Sequence, residues 1–351
     1  MTSVKVLVAG LGNMGRSHAL AYHEHEGFEV VGLVNRSSPD LPQALAGLPM
    51  HSDFHEAIDT IDCDAVSINT YTDTHAEYAI KALESGKHVF LEKPVATTVE
   101  AAERVVRAAR DNRRKLVVGY ILRHHPSWVR LIDEARTLGG PYVFRLNLNQ
   151  QSSGDTWQTH RQLMHSTSPI VDCGVHYVDV MCQVTDALPT QVSGIGLRLS
   201  NDIPDAMYNY GQLQVSFDDG SVGWYEAGWG PMMSETAFFV KDIISPNGAV
   251  SIVMDKDARS DDIDTHTKTS RIRVHHSALD NKGAFARQDL LLDMRDEPDH
   301  QALCNREQAF FHDVIRRDED LERHWRDALQ SLRIVLAADE SIRTGQTIRL
   351  E

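Results

Sequence analysis

Val4-Lys5-Val6-Leu7-Val8-Ala9-Gly10-Leu11-Gly12-Asn13-Met14-Gly15 sets the architecture of this chain. A short apolar run rich in valine ends in G-x-G-x-x-G, and residues 16–26 then have helical composition. In such a strand–turn–helix the first glycine permits the tight turn. The second lets backbone approach a pyrophosphate, and the third lets helix and strand pack closely. Free N–H groups at the helix start then face the phosphates. The glycine spacing alone is weak evidence. With a strand before it and a helix after it, the pattern predicts a dinucleotide-binding turn whose candidate contacts are Gly10, Gly12, Asn13, Met14 and Gly15. Lys5 is the one basic residue before an apolar run that glycine breaks at once, so the N-terminus reads as a buried strand and not as a secretory signal.

Outward from this turn the first third keeps alternating. Strand-like runs at 28–34, 65–69, 88–91 and 116–119 are separated by helix-like stretches at 75–84 and 98–112. Strands alternating with helices predict parallel βαβ units, and the nearly continuous apolar character of the strands predicts a sheet covered on both faces. The pattern changes near Arg123. A helix over 126–138 leads through Gly139-Gly140-Pro141 into alternating segments at 142–149, 191–198, 211–217 and 221–226, with Asp218-Asp219-Gly220 as a hairpin signal between the last two. Further strand candidates fall at 235–240, 249–253 and 271–275. Helices over 300–316 and 325–344 and a short strand over 347–350 close the chain. The expected fold is α/β plus α+β: residues 1–123 a dinucleotide-binding domain, residues 124–351 a second domain with a large open, mostly antiparallel sheet.

Composition narrows the partners. The 351 residues include 35 Lys plus Arg against 50 Asp plus Glu, a formal charge of −15. Such a surface repels a phosphate backbone, which excludes nucleic acid and anionic membrane as expected partners. No apolar run approaches the roughly 18 residues of a membrane span. Cys63, Cys173, Cys182 and Cys304 lack metal or CxxC spacing and read as reduced thiols of a cytoplasmic protein.

Cofactor choice is read at the end of the second strand, where an acid accepts from the ribose hydroxyl of NAD. Here the sequence is Val34-Asn35-Arg36-Ser37, with no carboxylate until Asp40. Arg36 suits a 2′-phosphate, with Asn35 and Ser37 as donors. The reading is NAD(P), favouring NADP with NAD left open. Further along, His88-Val89-Phe90-Leu91-Glu92-Lys93-Pro94 places a lysine at a strand tip, where ligands of open α/β sheets bind. Asp172 and His176 stand four apart, on one face if the segment is helical. Lys, Asp and His acting together suit oxidation of an alcohol, with His taking the hydroxyl proton and Lys stabilising negative charge on oxygen.

Gly10–Gly15, Gly86-Lys87-His88 running into Glu92-Lys93-Pro94, and Asp172-x-Gly174-x-His176-x-x-Asp179 together resemble the Gfo/Idh/MocA family of sugar and polyol oxidoreductases. The segments 119–126 and 337–345 resemble the family's exit from the last Rossmann strand and its C-terminal helix ending. The resemblance implies a Rossmann domain, Lys93 as catalytic lysine, His176 as general acid/base and Asp172 as its partner. It also implies a cis Lys93–Pro94 bond and a homodimer or homotetramer through the second sheet. Thr70, Tyr71, His75 and Glu92, together with Lys93, complete the expected cofactor contacts. Arg123, Asp155, Trp157 and His160 are the expected substrate contacts, with Arg161 beside them. Two positions depart from the family pattern. Ser166-Thr167-Ser168-Pro169 replaces a glycine-rich stretch, and Thr70-Tyr71 stands where Thr-Pro is usual.

The expected activity is hydride transfer between nicotinamide and a secondary hydroxyl of a sugar, polyol or cyclitol. Two alternatives remain open: a glycosidase with tightly held NAD(P) acting by transient oxidation and elimination, and a non-catalytic dinucleotide or sugar sensor. No metal is expected. Asp255-Lys256-Asp257 starts like a calcium loop, but Ser260 and His266 replace its glycine and glutamate. The pairs His124-His125 and His275-His276 lack an H-E-x-x-H form. Cys173 reads as packing.

Overall fold

A computed structural model describes residues 3–234, 239–254 and 269–350. Two compact units divide the chain: Met1–His124 with Pro298–Leu329, and His125–Glu297 with Gln330–Glu351.

In the first unit the chain forms Val4–Ala9 (β1), Asn13–Glu24 (α1), Phe28–Val34 (β2), Met50–His51 (β3), Phe54–Thr60 (α2), Ala65–Ile68 (β4), Thr72–Glu84 (α3), His88–Glu92 (β5), Val99–Asp111 (α4) and Leu116–Gly119 (β6). The six strands lie in the order β3-β2-β1-β4-β5-β6, paired in parallel. Val6, Leu7, Val8, Val89, Phe90 and Leu91 are fully buried, as the continuous apolar runs require of strands covered on both faces. Local signals set the helix ends. The hydroxyl of Thr98 caps α4 by accepting from the Ala101 N–H, and Asp53 caps α2 by accepting from Glu56. Strand order reverses between β1 and β4, the point where open α/β sheets bind ligands beyond their carboxyl ends.

The second unit begins with Pro126–Leu138 (α5), Val143–Gln151 (β7), Gly154–Leu163 (α6), Pro169–Asp172 (α7) and Gly174–Thr185 (α8). Pro189–Leu197 (β8), Tyr210–Phe217 (β9), Val222–Gly230 (β10), Lys241–Ser245 (β11), Gly248–Val253 (β12), Arg271–His276 (β13) and Leu290–Asp293 (β14) follow. His300–Arg317 (α9) belongs to the first unit, the division between units falls within Glu322–Thr344 (α10), and Ile348–Arg349 (β15) closes the second sheet. That sheet runs β14-β13-β12-β11-β7-β10-β9-β8-β15. β7 and β10 pair in parallel and its other pairs are antiparallel, so the sheet is mixed but mostly antiparallel. The Asp218-Asp219-Gly220 turn joins β9 to β10, with Gly220 at φ +87° and the Asp219 carboxylate accepting from the Ser221 N–H.

One expectation changes. Residues 239–240 are irregular, 235–238 lie outside the described residues, and the strand expected there starts at Lys241. The segment after β7 is helical, as α6. The calcium-like stretch from Asp255 to His266 lies outside the described residues. All four cysteines are buried free thiols. Among the described residues no helix is long and apolar enough to cross a membrane.

Candidate active-site residues in the two units

The glycine turn divides its work as its geometry demands. Gly10 has φ +83°, and a Cβ there would stand 2.5 Å from the Asn69 carbonyl oxygen. A Cβ on Gly15 would stand 1.9 Å from the Gly10 carbonyl oxygen, so the first and third glycines serve the backbone. A Cβ on Gly12 would meet nothing within 4 Å. Open space therefore remains beside the start of α1, whose Gly12 cap carries no side-chain acceptor and whose first turn has no acid. A positive helix end with no competing carboxylate fits a pyrophosphate. Exposed Asn13 accepts from Arg16 Nη2 at 2.8 Å, and Met14 is half-buried beside it.

At the end of β2 the Asn35 side-chain Oδ1 accepts from the Leu11 N–H at 3.0 Å, and its Nδ2 donates to the Ser37 carbonyl at 2.8 Å. Asn35 thus ties the glycine turn to the β2 loop and directs its donor at Ser37, not outward as expected. Arg36 and Ser37 are exposed.

The tips of β4 and β5 hold the next group. Tyr71 is 56% exposed at the start of α3, and the Thr70 and Thr74 hydroxyls are 2.7 Å apart. Lys93 is half-buried, and the Lys93–Pro94 bond is cis. Two expected cofactor contacts face elsewhere. His75 is buried, with Nδ1 2.8 Å from the Pro94 carbonyl and Nε2 3.0 Å from that of Thr70. Burial pushes its pKa below the usual histidine value. The buried Glu92 carboxylate turns inward, with Oε1 2.7 Å from His18 Nε2 and Oε2 accepting from the Lys93 N–H at 3.1 Å. Both polar groups are consumed inside the unit, so they support the strand tips and do not reach a cofactor through these atoms.

Sequence reasoning missed the residues behind Glu92. His18 Nδ1 lies 2.8 Å from Gln308 Nε2, and both residues are fully buried. The signal was a polar residue on the buried stripe Gly15, His18, Ala19 and Tyr22 of α1. Glu307 is 1% exposed with neither carboxylate oxygen hydrogen-bonded among the described residues, and burial followed by the Glu92 charge drives its pKa far above the usual carboxylate range. His18, Cys304 and Glu307 bring potential ligand atoms within 4.8 Å of one another, but both imidazole nitrogens of His18 already serve Glu92 and Gln308. Arg123 turns to His324 at 2.7 Å and stacks over Tyr120 at 5.0 Å, a placement that serves the unit's interior more than a substrate.

In the second unit Ser168 caps α7, accepting from the Val171 N–H at 3.1 Å, and its hydroxyl donates to Asp339 at 2.8 Å. The serine thus gives the departing Ser-Thr-Ser-Pro stretch a structural purpose. Asp172 ends α7 and His176 lies in the first turn of α8, the two helices meeting at Cys173 in helical geometry. Both are half-buried. Gly174 between them lets α8 approach β10, since a Cβ there would stand 3.0 Å from the Tyr225 ring. The Cys173 thiol lies 3.7 Å from Gln150 Oε1, which also accepts from Trp229 Nε1 at 2.8 Å. His160 stacks on Trp229 at 4.6 Å and bonds Ser152 at 2.9 Å. Burial depresses its pKa to about 4, against the raising effect of Asp172. His160 is therefore buried, with Nδ1 taken up by Ser152 and its ring face by Trp229. Asp155 is exposed and Trp157 half-buried on α6, with Arg161 6.0 Å over the Trp157 ring.

Residues 4–120 match the family described as "Oxidoreductase family, NAD-binding Rossmann fold", and residues 129–239 match the "GFO/IDH/MocA C-terminal domain". A protein of Bacillus subtilis named scyllo-inositol 2-dehydrogenase (NAD(+)) is 27% identical over 99% of this chain and 96% of its own length. An inositol 2-dehydrogenase of Klebsiella pneumoniae is 29% identical, over 51% of this chain and 53% of its own length. Among solved structures, myo-inositol 2-dehydrogenase from Lactobacillus plantarum superimposes with a TM-score of 0.78 at 18% identity, covering 100% of both chains. Scyllo-inositol dehydrogenase from Lactobacillus casei with NAD(H) and scyllo-inositol gives 0.76 at 20% identity, covering 99% of each. The structural likeness establishes the fold, the two matches at residues 4–120 and 129–239 together take in more than half of the chain, and this protein belongs to the GFO/IDH/MocA family of oxidoreductases.

Proposed function

We propose that this oxidoreductase moves hydride between a nicotinamide and a secondary CH–OH carbon of a cyclitol or polyol, with inositols as the leading substrate class. The observation that carries the reading is the glycine turn, open at Gly12, on the same sheet edge as a lysine fixed at the tip of β5. The similarity over 99% of the chain to a protein named as a scyllo-inositol dehydrogenase supports the substrate class.

Gly10 to Gly15 would hold the dinucleotide's pyrophosphate, and Arg36 its adenosine ribose. A bound nicotinamide supplies the hydride acceptor or donor. The proposed work of the chain's own residues follows from their chemistry. The Lys93 ammonium donates to the substrate oxygen and stabilises negative charge growing there. His176 accepts the hydroxyl proton, and Asp172 holds the imidazolium that results. Asp155 and Trp157 are the proposed substrate contacts, the carboxylate for hydroxyls and the indole for the apolar ring face. Exposed Arg36, with no carboxylate at the β2 end, supports use of NADP. The open face of the second sheet is the proposed oligomer contact.

A panel of inositols, polyols and sugars with NAD and NADP, followed at the nicotinamide absorbance, tests the reading. At least one cyclitol or polyol is expected to turn over. Lys93→Ala and His176→Ala should each lower kcat by about 10²–10⁴-fold. Arg36→Asp should shift preference toward NAD. Absence of cyclitol and polyol turnover with both cofactors overturns the proposal.

A further inference from the structure

The turn that carries Lys93 is anchored on both sides by buried side chains. Glu92 Oε2 accepts from the Lys93 N–H at 3.1 Å, while Oε1 lies 2.7 Å from His18 Nε2 on α1. His18 is in turn 2.8 Å from the Gln308 amide on α9. On the other side the Pro94 carbonyl lies 2.8 Å from His75 Nδ1 on α3. Glu92 is 6% exposed, His75 1%, and His18 and Gln308 0%. A carboxylate is rarely placed at such depth without partners, because losing water costs several kcal/mol unless hydrogen bonds replace it. Here the partners end on the main chain of a residue whose flexible four-carbon stem cannot define the ammonium position alone.

We propose that Glu92 and His18 form a positioning pair for Lys93. The pair fixes the main chain from which the ammonium reaches the substrate oxygen, with His75 bracing the far side of the turn. The inference rests on the reading of Lys93 as catalytic. Its effect falls on the transition state, since a small misplacement of a catalytic group costs rate far more than it costs ground-state binding. Glu92 touches neither substrate nor cofactor in this role.

The geometry distinguishes two substitutions. Glu92→Ala removes the acceptor of the Lys93 N–H. Glu92→Gln keeps a carbonyl for that N–H and offers its amide to His18 Nε2. The imidazole can then carry its proton on Nδ1, because Gln308 Oε1 has no hydrogen-bond partner among the described residues and can rotate to accept it.

The experiment compares Glu92→Ala, Glu92→Gln, His18→Ala and Lys93→Ala in the full chain, with kcat, substrate KM, cofactor Kd and melting temperature measured for each. Glu92→Ala should lower kcat by about 10²-fold, with KM and Kd within about twofold. Glu92→Gln should restore kcat to within about fivefold of the unsubstituted protein, and His18→Ala should resemble Glu92→Ala. The inference is overturned if Glu92→Ala keeps its kcat, or if KM and Kd change as much as kcat does. Should Glu92→Ala not fold, Glu92→Gln and His18→Ala decide, with a kcat loss in Glu92→Gln as large as in His18→Ala overturning it. Lys93→Ala separates the two readings. If it stays active, the assignment of Lys93 fails; if it is inactive while Glu92→Ala is unchanged, only the positioning pair fails.

Discussion

Lys241 shows how a single residue can oppose the fold that contains it. It is 2% exposed, its ammonium has no hydrogen-bond partner among the described residues, and it sits 3.5 Å from the Phe239 ring centre, with Tyr177 and Trp128 further out. Burial pushes its pKa well below 10.5. Between that lowered value and 10.5 the unfolded chain binds a proton that the folded chain does not. Stability therefore rises with pH through this window, and at neutral pH the lysine is a cost. Lys241→Met should raise stability at pH 7 and flatten that rise, as read by urea unfolding at pH 7 and pH 9. Lower stability at pH 7 would refute the argument. At this same scale the strand-tip position of Lys93 and the helical spacing of Asp172 and His176 were legible in the sequence, because a proline after an apolar run and a four-residue spacing are local signals. The inward turn of Glu92 and His75 was not, since their partners His18 and the Pro94 carbonyl are adjacent only after folding.

Among elements, the strand–turn–helix around Gly10–Gly15 allows two glycines to be separated by function. Gly15→Ala drives a methyl against the Gly10 carbonyl, 1.9 Å away, and should lower the melting temperature, costing about 1–3 kcal/mol of stability. Gly12→Ala meets open space and should melt close to the unsubstituted chain while losing cofactor affinity. Calorimetry with and without NAD(H) checks both, and equal affinity in Gly12→Ala would remove the pyrophosphate from this turn. Elements with strong periodicity were legible: β1, β2 and β4 to β6 as apolar runs, α4 and α5 as amphipathic helices. Elements without it were not. α6 buries only His160, and β14 has no buried residue, so neither carries an apolar stripe to read.

For the whole molecule the charge of −15 sets the outer surface, and the second sheet supplies an apolar exception. Val143 pairs with Val222, Val222 with Ser216 and Ser216 with Gln191, so all four share one face. Ile195 and Leu197 continue that face along β8 and are 64% and 55% exposed. This exposed apolar face is the proposed association surface. Light scattering after size exclusion should give a mass that is a multiple of 39.3 kDa. Val222→Glu with Ile195→Glu should move it toward the monomer, and a monomeric unsubstituted chain at micromolar concentration would reject the surface.

Local chemistry wrote the parallel first sheet, the glycine turn and the antiparallel hairpins into the sequence, because each depends on neighbours within one strand–turn–helix or one turn. Tertiary structure assigned residues 298–329 to the first unit, paired β7 in parallel with β10, and joined His18, Glu92 and Gln308 behind Lys93. These contacts unite residues 74 to 290 positions apart, and no local periodicity encodes which buried polar group will find which partner.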